Sequence, residues 1–571
     1  MKSTSPPMAS ASATRDAAYA ARVARVERED MVMFINACFA CSGQREFYGD
    51  ARGQSVSIAF LHQYILGNYR RLYARCLAAG INHFNKAQVI VNLLATGAET
   101  PAAQRREEGE LIYAALCALP VQRAYRVLEA LRDRRVNNRR TRAVIRRYLA
   151  ERHARGTVQL EALKYRGKLR AAAAHSHAAL PGELGGFLFR GWREREFTTP
   201  LFERYRRAHF ARSALYELPY TIAEGFAAKH RIPRDEFLAG IAERMTQTEK
   251  LRLQRTAARE RVQLQVDLGR VGLTRLASYV VGLPAAERQA QRVALLEAAR
   301  AAAVRALGRQ PRQLGKVAAI LDHSYSTSGS SEKRRRPLAV AWAVSQLLRA
   351  AAREYLALWT PGSLHRADDA PAFDELLVTA RGQTDLATPL LTALEWGAEL
   401  VLLVSDGYEN DPPAGAAEIA RVFRKRLDPE QRVSIIHVNP VFDAEHYAPR
   451  AIGPALPTVG LRDAEDLLTM LGFARFADGT APLSELEEYL EARMLRMLRR
   501  AAEGAKTDPD PESDPESDPD PESESDPESG PESDAESVPG SGSVPVPDSG
   551  SDSGSGSAPA VRLPDTMKDS V

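Results

Sequence analysis

Residues 316–326 read KVAAILDHSYS, a short apolar run ending in an aspartate, with two serines at alternate positions after it. A second run of the same kind, ELVLLVSDG at 399–407, again leads into an aspartate. Between them RGQTDLATP (381–389) offers a threonine on a glycine-containing stretch. Asp322, Ser324, Ser326, Thr384 and Asp406 are all hard oxygen donors, two of them acidic. Such a set suits Mg²⁺, which takes octahedral oxygen ligation and keeps positions for water or a partner. Strands of one parallel sheet end on the same edge, where open α/β folds bind ligands. Donors far apart in the chain are therefore expected to meet there.

The sequence around these runs supports that reading. Strands are expected at 317–321, 354–359, 399–404 and 432–438, with helices at 337–351, from about 388, at 414–426 and at 483–500. Alternating strands and helices predict a doubly wound α/β domain with a parallel sheet over 313–502.

Upstream the pattern is different. Residues 29–312 read as helix after helix: 55–77, 85–95, 107–119, 121–132 and 141–155, with later ones opened by Pro200, Pro233 and Pro284. Short connections and scarce strand alternation predict an all-α helical-repeat solenoid without a strict sequence period. Residues 1–28 lack an apolar h-region and are expected as a disordered leader rather than a secretory signal. From 503 the chain becomes an acidic Pro/Glu/Ser-rich tail with almost nothing apolar to bury, and is expected to be disordered.

The 571 residues carry a formal net charge of only +4. Residues 507–571 hold 18 acidic groups against Arg562 and Lys568, a net of −16, which leaves +20 on residues 1–506. A basic body with an acidic tail points to a polyanionic partner whose access the tail moderates. No run is long enough to span a membrane. Cys38 and Cys41 form a C-x-x-C pair, but no second pair or nearby histidine completes a zinc site. With Cys76 and Cys117 they read as core residues of a cytoplasmic protein. His175 and His177 read as part of a polar turn.

D-x-S-x-S, a Gly-x-Thr loop and an apolar strand ending Ser-Asp-Gly, in that order, resemble the metal-ion-dependent adhesion site of von Willebrand factor A domains. By that resemblance Ser324, Ser326 and Thr384 bind Mg²⁺ directly, and Asp322 and Asp406 act mostly through water or hydrogen bonds. One coordination position is left for a partner's carboxylate. His323 and Tyr325 depart from the small residues usual between the ligands. GQTDLATPLLTALEW (382–396), SDGYEN (405–410) and LLTMLGFARF (467–476) are similar to segments of the Ro autoantigen, or TROVE-type, family. In that family a ring of helical repeats carries the A domain. The resemblance implies small structured Y RNA-like partners and the single-stranded ends of misfolded RNA.

Two basic clusters are candidate RNA contacts. A helix beginning after Asn138 sets Arg139, Arg142 and Arg146 on one face, with Arg140 and Arg147 on the next stripe. Arg193, Arg204, Arg206 and Arg207 are interleaved with Trp192, Phe197, Phe202 and Tyr205, a mixture suited to phosphate contact and base stacking. No catalytic triad, phosphate loop or carboxylate pair for acid–base chemistry stands out. The expectation is a monomeric, non-enzymatic RNA-binding protein acting in RNA quality control or processing. The alternative is a protein-interaction scaffold whose A domain captures a partner carboxylate through Mg²⁺.

Overall fold

The computed structural model describes residues 9–47, 51–308, 314–360, 373–477, 479 and 481–504. Its first part is helical: α1 (Ala9–Ala40), α2 (Ala51–Asn68), α3 (Arg70–Arg75), α4 (His83–Ala95), α5 (Arg105–Ala118), α6 (Val121–Asp133), α7 (Arg139–Ala154), α8 (Val158–Lys164), α9 (Arg166–Ser176) and α10 (Leu184–Arg190). It continues through α11 (Pro200–Ala208), α12 (Tyr220–Lys229), α13 (Arg234–Ile241), α14 (Gln247–Arg259), α15 (Leu273–Gly282), α16 (Ala285–Ala290) and α17 (Arg292–Leu307). Local chemistry sets the boundaries. Asn82 caps α4 and Asn138 caps α7 through their side-chain oxygens, and Thr246 and Glu249 form a capping box on α14. In the first half of the helical part, helices pack on those two positions along: α2, α4, α6 make one layer and α3, α5, α7 the other. That is the stacking of an α-solenoid.

Two expectations need correcting. Residues 9–28, read as disordered leader, are the first turns of α1. The stretch is alanine-rich and has high helix propensity but no apolar stripe, so hydrophobic periodicity could not show it. The helix expected at 55–77 is interrupted, because Tyr69 leaves the helical region (φ −133°, ψ 47°) just after Gly67-Asn68, and its hydroxyl donates to Asp30. The tail from residue 505 onward lies outside the described residues.

The second part holds β1 (Leu314–Leu321), α18 (Arg336–Ala351), β2 (Ala352–Trp359), α19 (Ala387–Glu395), β3 (Leu400–Val404), α20 (Gly415–Arg426), β4 (Ser434–Asn439), β5 (Thr458–Gly460), α21 (Leu467–Ala477) and α22 (Leu483–Gly504). The five strands form one parallel sheet in the order β2-β1-β3-β4-β5. Alternate residues serve its two faces. Ala318, Ile320, Val401 and Leu403 pack with α19 and α20, whereas Val317, Ala319, Leu402 and Val404 join the larger core that includes α18 and the solenoid. The α/β domain receives both ends of the solenoid: α15 and α17 pack on α18, while α3 and α5 pack on α22. α1 lies on β5, where the Asn36 side chain donates to Thr458 O and accepts from Gly460 N. Cys38, Cys41 and Cys76 are buried free thiols, as read. No helix among the described residues is long and apolar enough to cross a membrane.

Candidate functional site

Strand register brings the oxygen donors together. β1 pairs Leu321 with Trp359 on one side and with Val404 on the other. The next residues, Asp322, Thr360 and Ser405, therefore lie abreast at the sheet edge. Thr360 Oγ1 donates to Asp322 Oδ1 at 3.2 Å and Ser405 Oγ to Oδ2 at 2.9 Å, while the Ser324 backbone N–H donates to Oδ1 at 2.8 Å. Ser324 Oγ and Ser326 Oγ are 3.2 Å apart, and Ser326 hydrogen-bonds Asp406. The loop bearing Thr384 is tied to both sides: Tyr325 N donates to Gly382 O, and Thr384 N donates to Asn410 Oδ1 at 2.9 Å. All five donors are buried.

The departures between the oxygen donors are accommodated. His323 turns inward, its Nδ1 3.1 Å from Thr379 O and its ring against Trp359 and Phe373. Tyr325 points outward and is exposed. Gly407 has φ +84°, and a Cβ there would meet Arg450 O at 2.6 Å, so only glycine lets the loop after Asp406 pass so close.

Burial raises the Asp322 carboxyl above its ordinary range against the hydrogen bonds that favour its charge. Burial, followed by the Asp322 charge, raises Asp406 to about 7, with Arg450 offsetting this only in part. Two buried carboxylates in mutual repulsion, surrounded by hydroxyls, favour a hard cation. The donor set fits a divalent ion of the Mg²⁺ type. Ser405, Thr360 and Asn439, whose side chain donates to Asp406 O and Arg450 O, support the centre and were missed from sequence. Their signal was register, which fixes neighbours across strands once the β1–β2, β1–β3 and β3–β4 pairings are known. A separate cluster, half-buried Asp443 with exposed Glu445 and His446, is engaged internally through a 2.9 Å His446–Asp443 pair.

No protein-family model matches the chain, and no curated protein matches it in sequence. Among solved structures, the crystal structure of the Deinococcus radiodurans Ro (RSR) protein matches 80% of this chain and 100% of its own length, with a TM-score of 0.50 and 15% identity. The chain has the Ro fold. The order expected from sequence, helical solenoid first and parallel-sheet domain second, is that of the structure.

On this Ro fold the nine candidate arginines separate into groups. Arg140 pairs with Glu108 at 2.6 Å in a largely buried network that also holds Arg70, so it is structural. Arg147 lies over the Tyr113 ring and pairs with Glu110, yet remains half exposed. Arg146 is exposed and donates to Ser176 O at 2.7 Å. Arg139 and Arg142 make no ion pair among the described residues. In the second cluster Arg204 pairs with Glu217, Arg206 is forked onto Glu203, and Arg193 sits over Trp192. Arg207 is exposed. Phe197 and Phe202 are buried, with Phe202 stacked on Phe187 at 4.1 Å, so these two rings are core and unavailable for base stacking. His175 Nε2 lies 3.0 Å from Val136 O, and His177 is the left-handed C-cap of α9, as a turn requires.

Proposed function

We propose that this chain is a non-enzymatic RNA-binding protein of the cytoplasm that takes small structured or misfolded non-coding RNA in quality control or processing. The observation that carries the reading is the α7 surface on a Ro fold. Arg139 and Arg142 are without ion pairs among the described residues, and Arg146 and Arg147 are exposed beside them, on a body of net +20. Guanidinium groups in a row suit the oxygens of a phosphate backbone. Ser324, Ser326 and Thr384 would hold Mg²⁺ directly, with Asp322 and Asp406 supporting it. The ion would supply a fixed positive centre with an oxygen-seeking open position. The residues themselves orient one another and keep the centre out of bulk water.

The test is a mobility shift with structured RNA, using protein freed of nucleic acid. Binding is expected at low salt, weakening steeply as salt rises and persisting in EDTA. No shift at low salt overturns the reading. Capture of a protein partner that is lost in EDTA would favour the metal-bridged scaffold instead.

A further inference from the structure

The loop that leaves the oxygen-donor centre continues as Ser-Thr-Ser-Gly-Ser-Ser-Glu-Lys-Arg-Arg (326–335) before α18 begins. It lines two adjoining open clefts of about 410 Å³ and 470 Å³, which share Arg334 and Arg335; the first is also lined by the α14 and α15 residues Arg255 and Gly282. Among the described residues, no acidic one lines either cleft. The loop's one carboxylate, Glu332, accepts from the Arg45 backbone N–H, and Glu46 is paired with Lys333 in the interior.

The loop is firmly set. Gly329 has φ +69°, and a Cβ there would run into Lys333 O, so the backbone folds tightly on itself, with Gly329 N donating to Ser326 O and Arg335 N to Ser328 O at 2.6 Å. Arg335 Nη1 donates to Val281 O at 2.8 Å and Arg255 Nη2 to Gly282 O at 3.1 Å. These bonds cover the last carbonyls of α15, so that helix end presents cations to the clefts. Each guanidinium has five N–H donors and spends one in this way, which leaves an edge to offer. Arg334 is exposed and makes no ion pair among the described residues. Ser328 and Ser331 add hydroxyls at the cleft wall.

The geometry points to a binding site for a phosphate group at the seam between solenoid and α/β domain, gripped by Arg255, Arg334 and Arg335. Three guanidinium groups with hydroxyl donors and no lining carboxylate select a doubly charged oxyanion. The clefts have room for the rest of a nucleotide beside it. This goes beyond RNA binding by the α7 face, because the group recognised can be free or can be the end of an RNA.

The full chain, freed of nucleic acid, is titrated with inorganic phosphate, adenosine 5′-monophosphate and adenosine by calorimetry. A ten-nucleotide RNA bearing a 5′-phosphate or a 5′-hydroxyl is followed by anisotropy. Phosphate-bearing probes are expected to bind more tightly than their phosphate-free counterparts. Arg334→Gln and Arg255→Gln should each weaken that binding about tenfold, the effect of losing one charged hydrogen-bonding group. A preference for 5′-phosphorylated RNA over the mononucleotide assigns the site to RNA ends, and the reverse assigns it to free nucleotides. Equal binding with and without phosphate in both series, or affinities unmoved by both substitutions in protein of native circular dichroism, overturns the proposal. The phosphate and mononucleotide arms read the clefts independently of whether α7 binds RNA.

Discussion

The Lys333 ammonium and the Glu46 carboxylate form an ion pair in which both side chains are about 4% exposed. It joins the loop downstream of the oxygen-donor centre to the segment that follows α1. A buried pair of this kind is costly to break from one side, because the remaining charge stays in a low-dielectric setting. Glu46→Gln or Lys333→Met should each lower stability by about 3–5 kcal/mol. The double change Glu46→Leu/Lys333→Met should recover much of the loss. Urea unfolding of the three variants checks this.

Mg²⁺ should raise the thermal midpoint of the native protein, by an amount equivalent to about 2.7 kcal/mol at a hundredfold excess over Kd. Asp406→Asn removes one of two repelling buried carboxylates. That variant should be no less stable than the native chain in EDTA and should gain nothing from Mg²⁺. Scanning calorimetry with and without the ion separates the two effects.

Arg139→Ala/Arg142→Ala should weaken RNA binding about tenfold or more at low salt and reduce the slope of log K against log salt by up to about 2, one for each phosphate no longer neutralised. Arg140→Ala should behave differently. It strands Glu108 with Arg70 as its remaining partner, so it should lower stability first. Arg206→Ala should leave RNA affinity close to native, since Glu203 already holds that guanidinium.

Removing residues 507–571 takes away a tethered polyanion of net charge −16 and leaves a body of +20. Truncation should raise RNA affinity and steepen its salt dependence, because a linked competitor acts at high effective concentration. Anisotropy titrations across salt concentrations measure both. Identical curves for the full and truncated chains would remove the idea.

What the sequence made legible follows from the length and period of each element. β1 and β3 each carry an apolar run of five residues and β4 the shorter Ile-Ile-His-Val, and four of the five donors lie at or just after a strand end, so their convergence follows from strand direction alone. Thr384 comes from a loop, and only its place in the motif identified it. β5 is three residues long and carries no periodic signal, so it was missed. The polar first half of α1 was hidden for the opposite reason, having helix propensity without an apolar stripe. The second basic cluster misled because Phe197 and Phe202 alternate with arginines in sequence, while the fold turns the rings inward against Phe187. Arg140 shows the same limit: on a helical wheel it neighbours Arg139, but only the fold reveals Glu108 beneath it.

The packing of α1 on β5 bears on colloidal behaviour. An open parallel sheet has two unpaired rims that can recruit strands from other molecules. At one rim Asn36 meets β5, and the helix backbone comes so close that a Cβ on Gly460 would lie 2.5 Å from Asn36 O. At the other, β2 displays Arg353 and Glu354, both well exposed. One rim is shielded by a helix and the other by charge. A chain shortened from its N-terminus through Asn36 would therefore uncover a self-complementary strand, and clumping rather than simple unfolding should be its mode of failure.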